Sequence, residues 1–398
     1  MSLPQIEGME VMGLVGEGSC GIVYIARDAK KSDPAIPGVK WYAVRVFNSL
    51  AVNRPLIESM LKRLKNVKQP KGLVPVAWKQ SQQGSRCMVM PLYAEVDEKE
   101  GTIETRSLQE RIGEFPSKKA WKVIEQIARA LGGMHQNHLP HGNLKPGNIF
   151  YNKKGDVVLT DYAMGQMPGV GMLPYTDALL YAPPEQLREP EGYTSGKGYG
   201  WDTYAFAVIA FRLLTGKFPR CEATFSKVAP GAGESHVTGI QADVVKLAER
   251  LEHRELANWP EEATNQTERK KREVIQKCLS LDPKDRYKDV TEVIQAWNTI
   301  DKDAKTAKEK AGLRKKIYLN KAGMLIALAL AGAGALGCLT LTGLLSSEKS
   351  GRAKDIKVRE EAKTELKIQR DNARAAQIKA NAARAKAEQI RVAKIHIS

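Results

Sequence analysis

Three segments of this 398-residue chain hold residue types that could do chemistry together. Gly16-Glu17-Gly18-Ser19-Cys20-Gly21-Ile22-Val23 lies between two strand-like runs, and glycines let a backbone approach phosphates closely with its amide N–H groups pointing at them. Taken alone, such a stretch suits an ordinary hairpin equally well. His141-Gly142-Asn143-Leu144-Lys145-Pro146-Gly147-Asn148 sets two asparagines around a lysine. The Asn143 amide oxygen accepts hydrogen bonds but has no useful basicity near neutral pH. Asp161 follows eighteen residues after Asn143, and Tyr42-Ala43-Val44-Arg45 ends on a planar, permanently charged guanidinium.

The elements that must position these residues follow from pattern. Over 9–95, β-branched runs such as Gly21–Ile25 and Tyr42–Phe47, separated by the turn-rich Lys31–Gly38, predict a strand-rich lobe. Pro55–Val67 reads as a helix. A polar stretch, Glu95–Arg106, leads into a helix-rich region over 106–299. Small β first and larger α after is an α+β, two-lobed plan.

Charge divides the chain differently. Residues 301–398 carry 22 Lys+Arg against 10 Asp+Glu, leaving a nearly balanced 40 against 35 for residues 1–300, so the basic excess belongs to the C-terminal part. Residues 300–321 form a Lys-rich linker. Residues 322–345 are 24 in a row without a charge, a helix of ~36 Å that would cross a ~30 Å hydrocarbon core. The last segment, 346–398, is rich in Ala, Lys, Arg and Glu and predicts a basic helical tail without a strict heptad. Eight Lys+Arg precede the span within twenty residues and six follow it, which favours a cytoplasmic N-terminal domain with the tail on the other side. Tail charge alone suits an anionic surface. Nucleic acid is not expected, because no aromatic side chain there could stack on a base. The five cysteines form no CxxC pair and suit a reducing compartment.

With these elements in place, the motifs resemble the eukaryotic-type Ser/Thr protein kinase family over residues 9–299, and the single span after the domain is similar to bacterial membrane-anchored members. Gly16, Gly18, Gly21 and Val23 match the Gly-rich loop; Ala43 and Arg45 fall in the V-A-I-K strand; Met90, Pro91 and Tyr93 fall in the hinge. Asp161-Tyr162-Ala163 stands where D-F-G belongs. Tyr181–Glu185 resembles the A-P-E segment, Trp201–Phe206 the central helix, and Leu279–Tyr287 the late motif whose arginine pairs with the A-P-E glutamate. The resemblance implies a two-lobed kinase fold and an ATP site lined by those residues. Metal ligands (Mg²⁺) would come from Asn148 and Asp161, and structural roles fall to Glu185, Asp202 and Arg286. It also implies a helix glutamate paired to the strand cation; Glu58 is the nearest candidate, one residue off the expected spacing to Leu61 and Leu64.

The departures fall at the chemistry. Asn143 replaces the catalytic aspartate while Lys145 keeps its place, Arg45 replaces the phosphate lysine, and Gly142 replaces the arginine that reads a phosphorylated activation loop. Ala178 stands where a threonine usually supports the loop, and Ala163 where D-F-G has its glycine. Losing a general base costs ~10²–10⁴ in rate. The expected function is therefore a membrane-anchored, nucleotide-binding signalling pseudokinase with lost or weak phosphotransfer. The alternative is a Ser/Thr kinase that works by positioning alone, and a further one is a passive anchor for the tail. Protein partners or substrates are not readable. Self-association through the span (Ala329, Ala333, Gly337) or the tail is a second expectation. Cys20 is expected to fill space in its loop, and His135 and His138 to pack or cap a helix end.

Overall fold

The computed structural model describes residues 3–18, 21–30, 32–47, 58, 59, 62, 71–113, 115–162, 172–174, 177–193, 195–222 and 241–333, with 357, 360, 361, 363–365 and 367 in the tail. The chain divides into two compact units, Met1–Ala307 and Lys308–Ser398.

The first unit opens on an antiparallel five-stranded sheet in the order β1-β2-β3-β5-β4. Its strands are β1 (Met9–Gly18), β2 (Gly21–Asp28), β3 (Tyr42–Phe47), β4 (Ala77–Gln80) and β5 (Arg86–Pro91). Because strand side chains alternate, β3 serves two cores. Tyr42 and Val44 join Cys87, Val89, Ile6 and Met9 on one face. Ala43 joins Met88 and Met90 on the other, with the large hydrophobic core of the unit. Arg45 shares the parity of Ala43 and sits opposite Val23 and Met88. The sheet thereby aims position 45 toward the large lobe. Tyr42 also anchors the insert before it: its hydroxyl lies 2.6 Å from Asp28 Oδ2 and 3.1 Å from the Ile36 carbonyl. Burial and the Asp28 hydrogen bond push it up to about 12.

After the hairpin β6 (Ala94–Asp97) and β7 (Thr102–Thr105) comes helix α1 (Ser117–Gln136). Its Ala120, Ile124, Ile127, Leu131 and Met134 recur at helical spacing and are buried. The strands β8 (Ile149–Tyr151) and β9 (Val157–Leu159) follow as a short hairpin. Two more strands, β10 (Met172–Pro174) and β11 (Gln241–Asp243), pair with each other. A short helix α2 (Pro184–Arg188) precedes the central helix α3 (Gly198–Thr215), which is apolar on nearly every face and buried accordingly. Gly216 ends it at φ +75°, the left-handed turn that glycine takes without cost. Helices α4 (Val244–Glu252) and α5 (Gln266–Cys278) begin on the side-chain caps Asp243 and Asn265. Helix α6 runs from Val290 to Ala333, and Val290, Val293 and Trp297 seal it to the core.

In the second unit Leu313, Ile317, Tyr318, Leu319 and Met324 of α6 are exposed. Residues 357, 360, 361, 363–365 and 367 are helical, with a Lys363–Glu360 ion pair at 3.2 Å. Among the described residues no helix is long and apolar enough to cross a membrane. Of the span expected over 322–345, only 322–333 are described, about 18 Å of helix. Residues 334–345, Gly337, Cys20 and Ala163 lie outside the described residues, as do most of Pro55–Val67 and of the tail.

Candidate active site

The loop 141–148 is organised from below by Asp202, one turn into α3 and fully buried. Its carboxylate accepts the backbone N–H of His141 (2.5 Å) and Gly142 (2.8 Å) and the Nε2–H of His135 (3.0 Å). A buried carboxylate is tolerable only when donors surround it in this way. His135 Nδ1 accepts the Val290 N–H at 3.2 Å, so Nε2 is the nitrogen whose proton faces Asp202. The ring packs edge-on to Tyr199 at 5.1 Å. His138 takes φ 57° in the turn after α1, and its peptide N–H donates to the His135 carbonyl.

Within the loop, the Asn143 N–H donates to His141 Nδ1 (3.3 Å) and Asn148 Nδ2 donates to the Asn143 carbonyl (2.7 Å). The Lys145 carbonyl accepts the Asn148 N–H (2.9 Å). Both the N–H and the hydroxyl of Thr160 donate to the Asn148 carbonyl (2.9 and 3.2 Å). Asn143, Lys145, Asn148 and the strand end that carries Asp161 therefore form one hydrogen-bonded unit. Next to Asp161, Tyr162 is buried with its hydroxyl on the Val74 carbonyl at 2.8 Å, and burial drives that phenol well above its usual range. His141 lies edge-on to it at 6.4 Å. Burial lowers the His141 pKa against the opposing pull of Asp202 and Asp161.

Arg45 departs from expectation. The family pattern pairs it with Glu58; here Glu58 Oε2 meets Arg86 Nη1 at 2.9 Å. Arg45 Nη2 instead forms a short ion pair with Asp161 Oδ2. The physical reason is reach: a guanidinium extends beyond where an ammonium would end, and position 45 points toward the large lobe. Both side chains are nearly enclosed, at 12% and 7% exposed. Arg45 Nε and Asp161 Oδ1 are buried without a hydrogen-bond partner among the described residues. Asp161 also holds φ 53°, a left-handed conformation that aspartate tolerates better than most residues.

Gly142 shows why arginine is absent there. Its φ is +74°, and a Cβ would lie 2.4 Å from Tyr193 Cε2. Tyr193 is buried with its hydroxyl on the Pro140 carbonyl at 2.7 Å, and Gln186 Nε2 donates to the Gly142 carbonyl at 3.0 Å. The ring fills the ground beneath the loop. Sequence reasoning missed Tyr193 and Gln186; glycine at an arginine position was the one available signal. Gly142→Ala is expected to cost about 2 kcal/mol or more, from the left-handed backbone and the clash together. Chemical denaturation checks this, and a Tyr193→Ala background should recover part of the loss.

The hinge residues occupy one strand end. Met90 pairs with Ala43 across β3 and β5, both buried, and Pro91 pairs with Tyr42. Tyr93 follows, its carbonyl accepting the Arg106 N–H at 2.9 Å. Its own N–H has no partner among the described residues. Farther down, Arg286 grips Glu185 with two bonds (2.6 and 3.1 Å) and the Ser280 and Leu281 carbonyls (2.5 and 3.0 Å), over the ring of Tyr204. The Arg286 side chain is 1% exposed, so Glu185→Ala strands a buried cation and should cost about 3–5 kcal/mol, read as a fall in Tm.

These donors suit a nucleotide. Gly21 takes φ +130°, and among the described residues nothing lies within 4 Å of a Cβ built at Gly16. The Tyr93 N–H, without a partner among the described residues, is a donor for a base, and Arg45 brings a cation beside Asp161. Two oxygens of the site also suit Mg²⁺. That ion wants hard oxygens, commonly one or two carboxylates, in octahedral array. Arg45 engages only Oδ2 of Asp161, whose Oδ1 has no hydrogen-bond partner among the described residues, and Asn148, with its Nδ2 donating inside the loop, keeps its amide oxygen for a metal.

Comparison with known proteins agrees with the geometry. Residues 9–297 match the protein kinase domain. The chain is 32% identical to the serine/threonine-protein kinase PrkC of Bacillus subtilis over 29% of its length and 18% of that protein's. It is 24% identical to a probable serine/threonine-protein kinase of Clostridium perfringens over 74% of its length and 38% of the relative's. With a serine/threonine-protein kinase of Corynebacterium glutamicum, PknA, it shares 25% identity over 48% and 36%. The matches thus span less than two fifths of each of these relatives. Family members generally use ATP and Mg²⁺. With a matching domain over most of its length, a β-rich lobe, a helical lobe and the Asp202-held loop between α1 and β8, the chain belongs to the eukaryotic-type Ser/Thr protein kinase family.

Proposed function

We propose that this protein is a membrane-anchored, nucleotide-binding signalling module of the kinase fold whose phosphotransfer is lost or weak. The observation that carries the reading is the Arg45–Asp161 ion pair beside an asparagine at the base position. Asn143 can accept a hydrogen bond from a hydroxyl and orient it, but it takes no proton at neutral pH. Arg45 and Lys145 bring positive charge to where phosphates would lie. Arg45 is paired with one oxygen of Asp161. Members of the family depend on a general base and a phosphate-positioning lysine for efficient transfer, and both positions are changed here.

Anchoring rests on the uncharged run 322–345, and orientation on the lysine and arginine count around it. The domain then faces the cytoplasm, where ATP is supplied, and the basic tail lies across the membrane. The exposed apolar residues 313–324 of α6 suit a helix entering an interface. A reporter fused after Ser398 tests this: a cytoplasmic readout there overturns the orientation.

A working kinase is the second reading. The loop scaffold favours it, since Asp202, Asn148 and the Glu185–Arg286 clamp hold position. Transfer of radiolabelled phosphate from ATP to the chain itself or to a generic protein acceptor separates the two. Labelling above background by the native chain overturns the pseudokinase reading.

A further inference from the structure

We infer that the α6 segment Leu313–Lys321 is a collar that binds anionic lipid headgroups. This rests on the membrane-anchored reading and deepens it by naming the class of lipid.

Residues 310–321 carry five cations, Lys310, Arg314, Lys315, Lys316 and Lys321, and no acidic residue. All five are exposed, and none has an ion-pair partner among the described residues. Large apolar side chains stand among them: Leu313, Ile317, Tyr318, Leu319 and Met324 are between 47% and 75% exposed. At about 100° per residue, Leu313, Ile317 and Met324 share one side of the helix, with Arg314 and Lys321 beside them. Leu319 lies on the opposite side, flanked by Lys315 and Lys316. A helix laid flat on a surface hides a single apolar face. Apolar and cationic residues on both sides suit instead a helix standing through the headgroup layer, with lipid all round it.

Depth supports the same arrangement. The uncharged run begins at Ala322. At ~1.5 Å per residue, Tyr318 lies about 6 Å outside it and Arg314–Lys316 about 9–12 Å. The headgroup layer flanking a ~30 Å hydrocarbon core is about 5–8 Å deep. Tyr318 thus falls inside that layer, where interfacial aromatic residues sit, and Lys321 at its inner edge can snorkel back to it. Arg314, Lys315 and Lys316 stand just beyond its outer edge, well within the ~8 Å over which salt screens a charge. A choline headgroup cancels its own phosphate with its own ammonium. An anionic headgroup does not, so a ring of unpaired cations at this depth selects it.

The test is photo-crosslinking of the full chain, with Tyr318 replaced by p-benzoylphenylalanine, in vesicles of phosphatidylcholine holding about one-fifth phosphatidylglycerol of the same acyl chains. Mass spectrometry reads which lipid is attached. The expected result is phosphatidylglycerol adducts about threefold or more above that lipid's share of the bilayer. Combining Arg314→Gln, Lys315→Gln and Lys316→Gln should bring the adducts down to that share. These positions lie outside the 9–297 domain, so its fold is not at stake in the variant. Adducts of the unsubstituted cations that simply follow bilayer composition overturn the inference and leave anchoring standing, with the cations serving only to orient the span. Enrichment that survives the triple variant overturns it as well. A covalent dimer in place of lipid adducts gives this surface to a second copy and overturns the lipid assignment. Release of the chain from the vesicles by alkaline carbonate overturns the anchoring reading and this inference with it.

Discussion

Changing Asn143 to Asp and Arg45 to Lys together should raise phosphate transfer from ATP by about 10²–10⁴-fold over the native chain, the usual worth of a general base. The gain is expected because the surroundings of position 143 are already built. Its N–H is held by His141, its carbonyl by Asn148, and the two peptide N–H groups before it by Asp202. An aspartate placed there inherits a fixed backbone. Lysine at 45 should loosen the hold on Asp161 and free a carboxylate for Mg²⁺. The single variants should give less than the pair, since a base without a positioned phosphate has little to act on. Radiolabel incorporation with Mg²⁺ and with Mn²⁺ reads the result. A double variant no more active than the native chain would place the defect elsewhere, at Ala178 or in the Gly-rich loop.

The second large effect is on the fold. Asp202→Ala should lower stability by about 3–5 kcal/mol, because it strips one buried acceptor from three donors at once and each stranded donor costs about 1–3 kcal/mol. The loss should be local first. The His141 and Gly142 amides should lose hydrogen-exchange protection before the sheet does, since their only described acceptor is that carboxylate. A Tm within a degree or two of the native value would mean that the loop is held by other contacts, such as Gln186 on the Gly142 carbonyl.

Residues whose role is set by local sequence were legible. The strands around Gly16–Val23 and Tyr42–Phe47 and the helix-rich character of the large lobe could be placed from pattern, and the loop 141–148 from its motif. The structure also brings Glu185 and Arg286, 101 residues apart, into contact at 2.6 Å, as the motifs imply. What could not be read were partners chosen by side-chain length or by shape. Arg45 pairs with Asp161 and Glu58 with Arg86, a choice of partner that local pattern does not record. Tyr193 sits under Gly142 because a backbone with positive φ leaves room for a ring only if no Cβ is there. His135 was expected to pack or cap; that it also relays Val290 to Asp202 depends on the docking of α6 against α1, which no local pattern records.

That relay sets a limit on where the polypeptide can be cut. The Val290 N–H is the sole described donor to His135 Nδ1, and Val293 and Trp297 one and two turns on are buried, Trp297 against Trp121 and Phe206. A protease or a cloning boundary that removes residues from 290 onward would take away the imidazole's partner and expose an indole-lined seam. Recombinant fragments meant for crystallisation or ligand screening should therefore retain the first three turns of α6, although these turns lie some 150 residues from the loop they steady.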